Sequence, residues 1–92
     1  MSSINNITLL DVRTPSEFSE GHIKGAVNND WNGGGFQEMA ADYDKNGIYF
    51  VYCRSGHRSG LAASWMRSSG FKNVFELSGG INAWQSEGMP IE

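Results

Sequence analysis

The sequence predicts an α/β fold in three layers, with a central parallel sheet of about four to five strands flanked by helices. Three observations carry that reading. Short apolar, β-prone runs alternate with helix-like patterns about four times, joined by connections of a few residues. Helix-start residues follow directly on the first strand-like run, which is the opening of a βα unit. The most continuous apolar run, Ile48 to Tyr52, is what a central strand covered on both faces requires.

The 92 residues fit one small domain spanning 1–92. Folding at that size buries roughly 60–70% of the unfolded chain's surface, enough for a core without metals or disulfides. Three Trp, three Tyr and five Phe favour a packed globule over disorder. A net charge of −3 excludes a broad electrostatic footprint for nucleic acid, so no nucleic-acid partner is expected. No apolar run approaches the ~20 residues of a membrane span, and no export signal is visible. The expectation is a soluble, cytoplasmic domain with no membrane partner. The lone cysteine, Cys53, leaves no intramolecular disulfide and no resolving thiol in the chain.

Residues 1–6 are polar and read as a frayed or short edge segment. Ile7 to Val12 reads as a mostly buried strand ending in polar Arg13. Thr14-Pro15-Ser16-Glu17 combines a cap, a Pro at the first helical position and a Glu three residues after the cap; Gly21 keeps that helix short. His22 to Asn29 reads as a turn and a short strand. Asp30 to Gly35 has no periodicity and reads as a flexible connector; its glycines lack the Lys and Ser/Thr of a phosphate-binding loop. Phe36, Met39, Ala40 and Tyr43 recur at helical spacing, as a core-facing stripe.

Asp44 to Gly47 is a turn before the Ile48–Tyr52 strand. Beyond Cys53, a helix-like pattern runs from Leu61 to Ser69, with Leu61/Trp65 and Ala62/Met66 paired and Gly70 as its C-terminal cap. Val74 to Leu77 reads as another short strand. Ser78-Gly79-Gly80 opens a last helix through Ile81 and Trp84, stopped by Gly88 and Pro90.

The chemistry is concentrated in Cys53-Arg54-Ser55-Gly56-His57-Arg58-Ser59. In a parallel α/β sheet, ligands bind outside the carboxyl ends of the strands, where Cys53 falls. A cysteine at a helix N-terminus or beside cations becomes a thiolate far more readily than a free one. Backbone amides from Arg54 to Ser59 can curl round the sulfur, with Gly56 permitting the turn. Arg54 and Arg58 add permanent charge, and Ser55 and Ser59 add hydroxyl donors. A buried cysteine acting as a small hydrophobe is the plainer alternative, but this polar, cationic sequence makes an unsuitable apolar surrounding. His57 lies between a direct role and shaping the loop rim. His22 is read as structural or a pocket neighbour. One Cys and two His do not make a zinc site, and neither metal nor cofactor is expected.

Leu10-Asp11-Val12-Arg13, Glu17-Phe18, Gly21 to Asn28, Cys53 to Ser59 and Gly79-Gly80-Ile81-Asn82-Ala83-Trp84, in this order, resemble the rhodanese (thiosulfate sulfurtransferase) family over about residues 8 to 90. The resemblance implies a compact α/β domain and an enzyme that carries a persulfide on Cys53, its nucleophile. It also implies that Arg54, Ser55, Gly56, His57, Arg58 and Ser59 form the substrate-binding loop, with Arg54 and Arg58 helping to hold an anionic sulfur donor. The segment from Asn28 to Ile48 departs from many members in being short and in its three glycines, which leaves the pocket rim and substrate size open. Trp31 is assigned to the core rather than to a pocket wall.

Four residues separate Cys53 from Arg58. Cysteine phosphatases related in fold place five there, which accommodates a tetrahedral phosphate. The shorter loop favours a single terminal sulfur atom, although Ser59 after the arginine is shared with many phosphatase loops. The expected reaction moves a sulfane sulfur from thiosulfate or a related donor to cyanide or a thiol. A persulfide carrier delivering to a protein partner is the principal alternative, ahead of a regulatory module, a phosphatase or an arsenate reductase.

Overall fold

The strand β1 (Ile7–Asp11) runs parallel to and between β2 (Val27–Asn28) and β3 (Ile48–Tyr52), and β4 (Asn73–Glu76) adds to the far edge of β3. The sheet order is β2-β1-β3-β4, all parallel, in a computed structural model that describes residues 7–77, 79–89 and 91. The expectations for residues 1–6, and for Ser78 and Pro90 at the ends of the last helix, lie outside the described residues.

Between the strands run α1 (Pro15–Glu20), a 3-10 turn (Trp31–Gly33) with α2 (Phe36–Ala40), and α3 (His57–Ser68); α4 (Gly80–Ser86) follows β4. The register pairs Ile7 with Ile48 and Asp11 with Tyr52, so β1 and β3 end level with each other. Because the chain first steps from β1 to β2 and then returns to the other side of β1, the topology reverses between β1 and β3. The carboxyl ends of these two strands therefore flank the crevice where such sheets receive ligands.

Side-chain alternation divides the core into two layers. On one face Leu10, Val12, Tyr49, Val51 and Cys53 pack against Phe36 and Ala40 of α2 and Ala62, Ala63 and Met66 of α3. On the other, Tyr52 packs with Ile23 and Ile81, and with partly buried Leu9 and Trp84. Each fully buried Leu, Val or Met is worth about 1.5–3 kcal/mol relative to exposure. Trp31 sits edge-on to Phe36 at 5.1 Å, a partly buried neighbour of the core as assigned.

Two expectations are corrected. Met39 is 51% exposed, because α2 ends at Ala40 and buries only Phe36 and Ala40. Tyr43 lies beyond that helix, stacked on Tyr49, where its hydroxyl accepts from Asn29 Nδ2 at 3.2 Å. Leu61 is exposed, outside the buried stripe of α3, which is Ser59, Ala62, Ala63 and Met66. The glycine connector is not featureless: Asp30 caps a 3-10 turn by accepting from the Asn32 amide at 3.0 Å.

Candidate active site

The site is built from the ends of β1 and β3 outward. At the end of β1, the buried Asp11 carboxylate accepts from the Arg13 amide and from its Nε and Nη2, the last at 2.7 Å. Arg13 Nη2 also donates to the Gly21 carbonyl at 2.7 Å, which ties the far end of α1 to the sheet. Tyr52, at the end of β3, accepts from the Ile23 amide at 3.0 Å just beyond α1. Burial pushes the Tyr52 hydroxyl's pKa up, which keeps it neutral. The start of α1 is closed by a reciprocal capping box between Thr14 and Glu17. The sequence signal for that helix is thus realised, and it fixes where Glu17 points.

Cys53 follows β3 and is 1% exposed. Its Cβ belongs to the apolar core, whereas its sulfur faces polar donors. The Gly56 amide donates to Sγ at 3.1 Å and the Ser59 amide at 3.4 Å. Sγ lies 3.6 Å from Ser59 Oγ, whose hydroxyl donates to the Gly56 carbonyl at 3.1 Å. In the thiol form the S–H can donate to that oxygen; in the thiolate form the hydroxyl can rotate to donate to sulfur. Burial pushes the Cys53 thiol up, but donation from the Ser59 amide and hydroxyl and from the Gly56 and Ser55 amides outweighs it, leaving the pKa below the ordinary value. The positive end of α3 acts in the same direction.

The loop closes earlier than its sequence pattern suggests. Gly56 adopts φ 122°, open to a residue without Cβ, and serves as the N-cap of α3. His57, Arg58 and Ser59 are consequently the first helical turn, not a loop preceding a helix at Leu61. Ser59 starts the buried stripe, so a hydroxyl is carried to the sulfur by helix geometry. His57 and Ser55 are exposed on the rim. His22 lies instead against α1, its ring stacked on Phe18 at 3.7 Å.

A second support comes from α4. Its Ile81 amide donates to the Cys53 carbonyl at 2.9 Å, and its Asn82 amide to the Arg54 carbonyl at 3.1 Å. A trans peptide places carbonyl and N–H on opposite sides, so holding these two carbonyls turns the Arg54 and Ser55 amides the other way, into the loop. Gly80 makes the close approach feasible: a Cβ there would lie 2.2 Å from the Cys53 carbonyl oxygen.

The arginines converge on Glu17, a helix-cap residue to which the sequence reading gave no role at the site. Arg58 Nη1 and Nη2 donate to Glu17 Oε1 and Oε2 at 2.8 and 3.2 Å, and Arg54 Nε lies 3.8 Å from Oε2. This bidentate pairing, with the Thr14 amide, holds the Glu17 carboxyl down at about 2. Two like charges in one short loop, requiring a countercharge, were the available signal for Glu17. A cleft of about 170 Å³ opens beside this trio, walled by Arg13, Glu17, Gly21, Arg54, Ile81, Asn82 and Gln85 among others. Among the described residues no group of three or more His, Cys, Asp or Glu could hold a metal ion.

A parallel sheet with a strand-end cysteine cradled by the first turn of a helix is the architecture of rhodanese-like domains, and comparison agrees. The rhodanese-like domain family model matches residues 1–87, and the chain belongs to that family. It is 34% identical to thiosulfate sulfurtransferase 16, chloroplastic, of Arabidopsis thaliana, over 90% of this chain and 78% of that protein. It is 32% identical to a sulfurtransferase of Allochromatium vinosum, over 99% of this chain and 83% of the relative. Among solved structures, the rhodanese-like domain of the Alr3790 protein from Anabaena sp. superposes with a TM-score of 0.85 at 34% identity, covering 94% of this chain and 98% of that one.

Proposed function

We propose that the protein is a sulfurtransferase that carries a sulfane sulfur as a persulfide on Cys53, taking it from thiosulfate or a related donor and giving it to cyanide or a thiol. The observation that carries this reading is the set of donors round one sulfur: the Gly56 and Ser59 amides at 3.1 and 3.4 Å, beside a hydroxyl at 3.6 Å. Such a cradle lowers the thiol's pKa and suits the terminal, anionic sulfur of a persulfide. The Cys53 thiolate attacks the outer sulfur of thiosulfate, the S–S bond to the sulfonate breaks, and sulfite leaves with the bonding pair. The acceptor then attacks the outer sulfur of the persulfide and the Cys53 thiolate is restored. With no second cysteine in the chain, that acceptor comes from outside.

Intact-mass measurement after incubation with thiosulfate tests the proposal. A gain of one sulfur that cyanide reverses, and that Cys53→Ser lacks, is expected; an unchanged mass with every sulfane donor would refute it. A persulfide carrier serving a protein acceptor is the second reading, favoured by the 1% exposure of Cys53, which would shield a stored persulfide. Slow discharge to cyanide with fast discharge to a protein thiol would select it.

A further inference from the structure

Both guanidiniums of the cysteine loop converge on one carboxylate, and that carboxylate is itself fixed. Glu17 Oε1 accepts from the Thr14 amide at 3.0 Å and its hydroxyl at 3.2 Å while it pairs with Arg58. Two guanidiniums against one carboxylate leave a single net positive charge, and Asp30 lies near enough to Arg58 to offset part of it. The fork of Arg58 that would clamp two sulfonate oxygens is filled from within the protein.

We infer that Glu17 is a specificity-determining residue, which disfavours doubly charged sulfur donors such as thiosulfate relative to organic persulfides of lower charge. This rests on the persulfide reading above and names the donor class for the same site. A thiosulfate dianion must either displace Glu17 from Arg58 or bind with its sulfonate unclamped and facing a carboxylate. A small alkyl persulfide needs neither. Its reaction balances without further reagents: the Cys53 thiolate attacks the outer sulfur of R–S–SH, the S–S bond breaks, R–S⁻ leaves, and Cys53–S–SH forms.

The test compares kcat/KM for thiosulfate and for the persulfide of 2-mercaptoethanol, whose organic part is uncharged, in the wild-type protein and in Glu17→Gln. Gln retains an oxygen for the capping box, so the helix start is kept. The ratio of thiosulfate to alkyl-persulfide use should rise about tenfold in Glu17→Gln, through a lower KM for thiosulfate, and should fall back at high salt. The gain should vanish when Arg58→Gln is added. A Glu17→Gln protein that loses activity toward both donors in equal proportion, or whose ratio is unchanged, would overturn the inference. Absence of sulfur uptake from either donor by wild-type protein would instead refute the persulfide reading on which it stands.

Discussion

Glu17 and Arg58, 41 residues apart in sequence, meet fork to fork with contacts of 2.8 and 3.2 Å. The pair joins the first turn of α1 to the first turn of α3, so the helix that presents the cysteine cradle is anchored to the one that begins beyond β1. Its energetic signature is a pH dependence. The Glu17 carboxyl is lowered from 4.5 to about 2 in the folded protein, chiefly by the Arg58 hydrogen bonds. Between those values the unfolded chain binds more protons, so stability rises with pH; the contribution is full above about 4.5 and is lost as pH falls through about 2. Urea midpoints from pH 2 to 6 should show a flatter profile in Glu17→Gln, with a loss of about 1 kcal/mol at neutral pH.

The sulfur should titrate below an ordinary cysteine. The pH dependence of Cys53 alkylation by iodoacetamide should have its midpoint under that of a free thiol, since the cradle outweighs burial. Ser59→Ala removes the hydroxyl and keeps the amide, so the midpoint should move upward. The same change leaves the Gly56 carbonyl without that donor and should cost about 1–2 kcal/mol in urea unfolding.

Gly80→Ala should be among the costliest small substitutions. Gly80 has φ +60°, and a methyl there would meet the Cys53 and Arg54 carbonyl oxygens at 2.2 and 2.6 Å. Those atoms are backbone and cannot swing aside, so a loss of about 3 kcal/mol or more is expected. Gly34→Ala, at φ +86° but with open space around it, is the control and should cost about 1 kcal/mol. Equal losses in the two variants would show that the close approach to the cysteine loop carries no weight.

Asp11→Asn should destabilise through Arg13 rather than through lost packing. The pair is almost wholly buried, and Arg13 would retain a positive charge facing an amide. A loss of about 3 kcal/mol is expected in chemical denaturation. Arg13→Met in the same background should recover part of it, because the buried charge is then gone.

Much of the fold was legible because its signals are local. Strand runs at Ile7, Ile48 and Val74, and the Thr14-to-Glu17 capping box, are decided by adjacent residues and recur in the structure. The cysteine and its loop were legible for the same reason. What the pattern hid depends on contacts between distant segments. Ser59 looks like a loop hydroxyl until α3 is seen to start at His57, which carries it into the buried stripe of that helix. Glu17 satisfies a helix cap so well that nothing in its own neighbourhood announces a second partner 41 residues away. Met39 fits a helical stripe that the chain abandons after Ala40.

The grip of α4 on the Cys53 and Arg54 carbonyls has a temporal consequence. Residues 80–82 are made after the nucleophile, so the Arg54 and Ser55 peptide planes gain this anchor only once the last helix docks. The Gly56 and Ser59 amides, 3.1 and 3.4 Å from the sulfur, belong to α3 and need no such docking. A chain that lacks α4 should therefore keep part of the thiol activation, and the difference in alkylation rate between it and the full chain measures what the last helix adds.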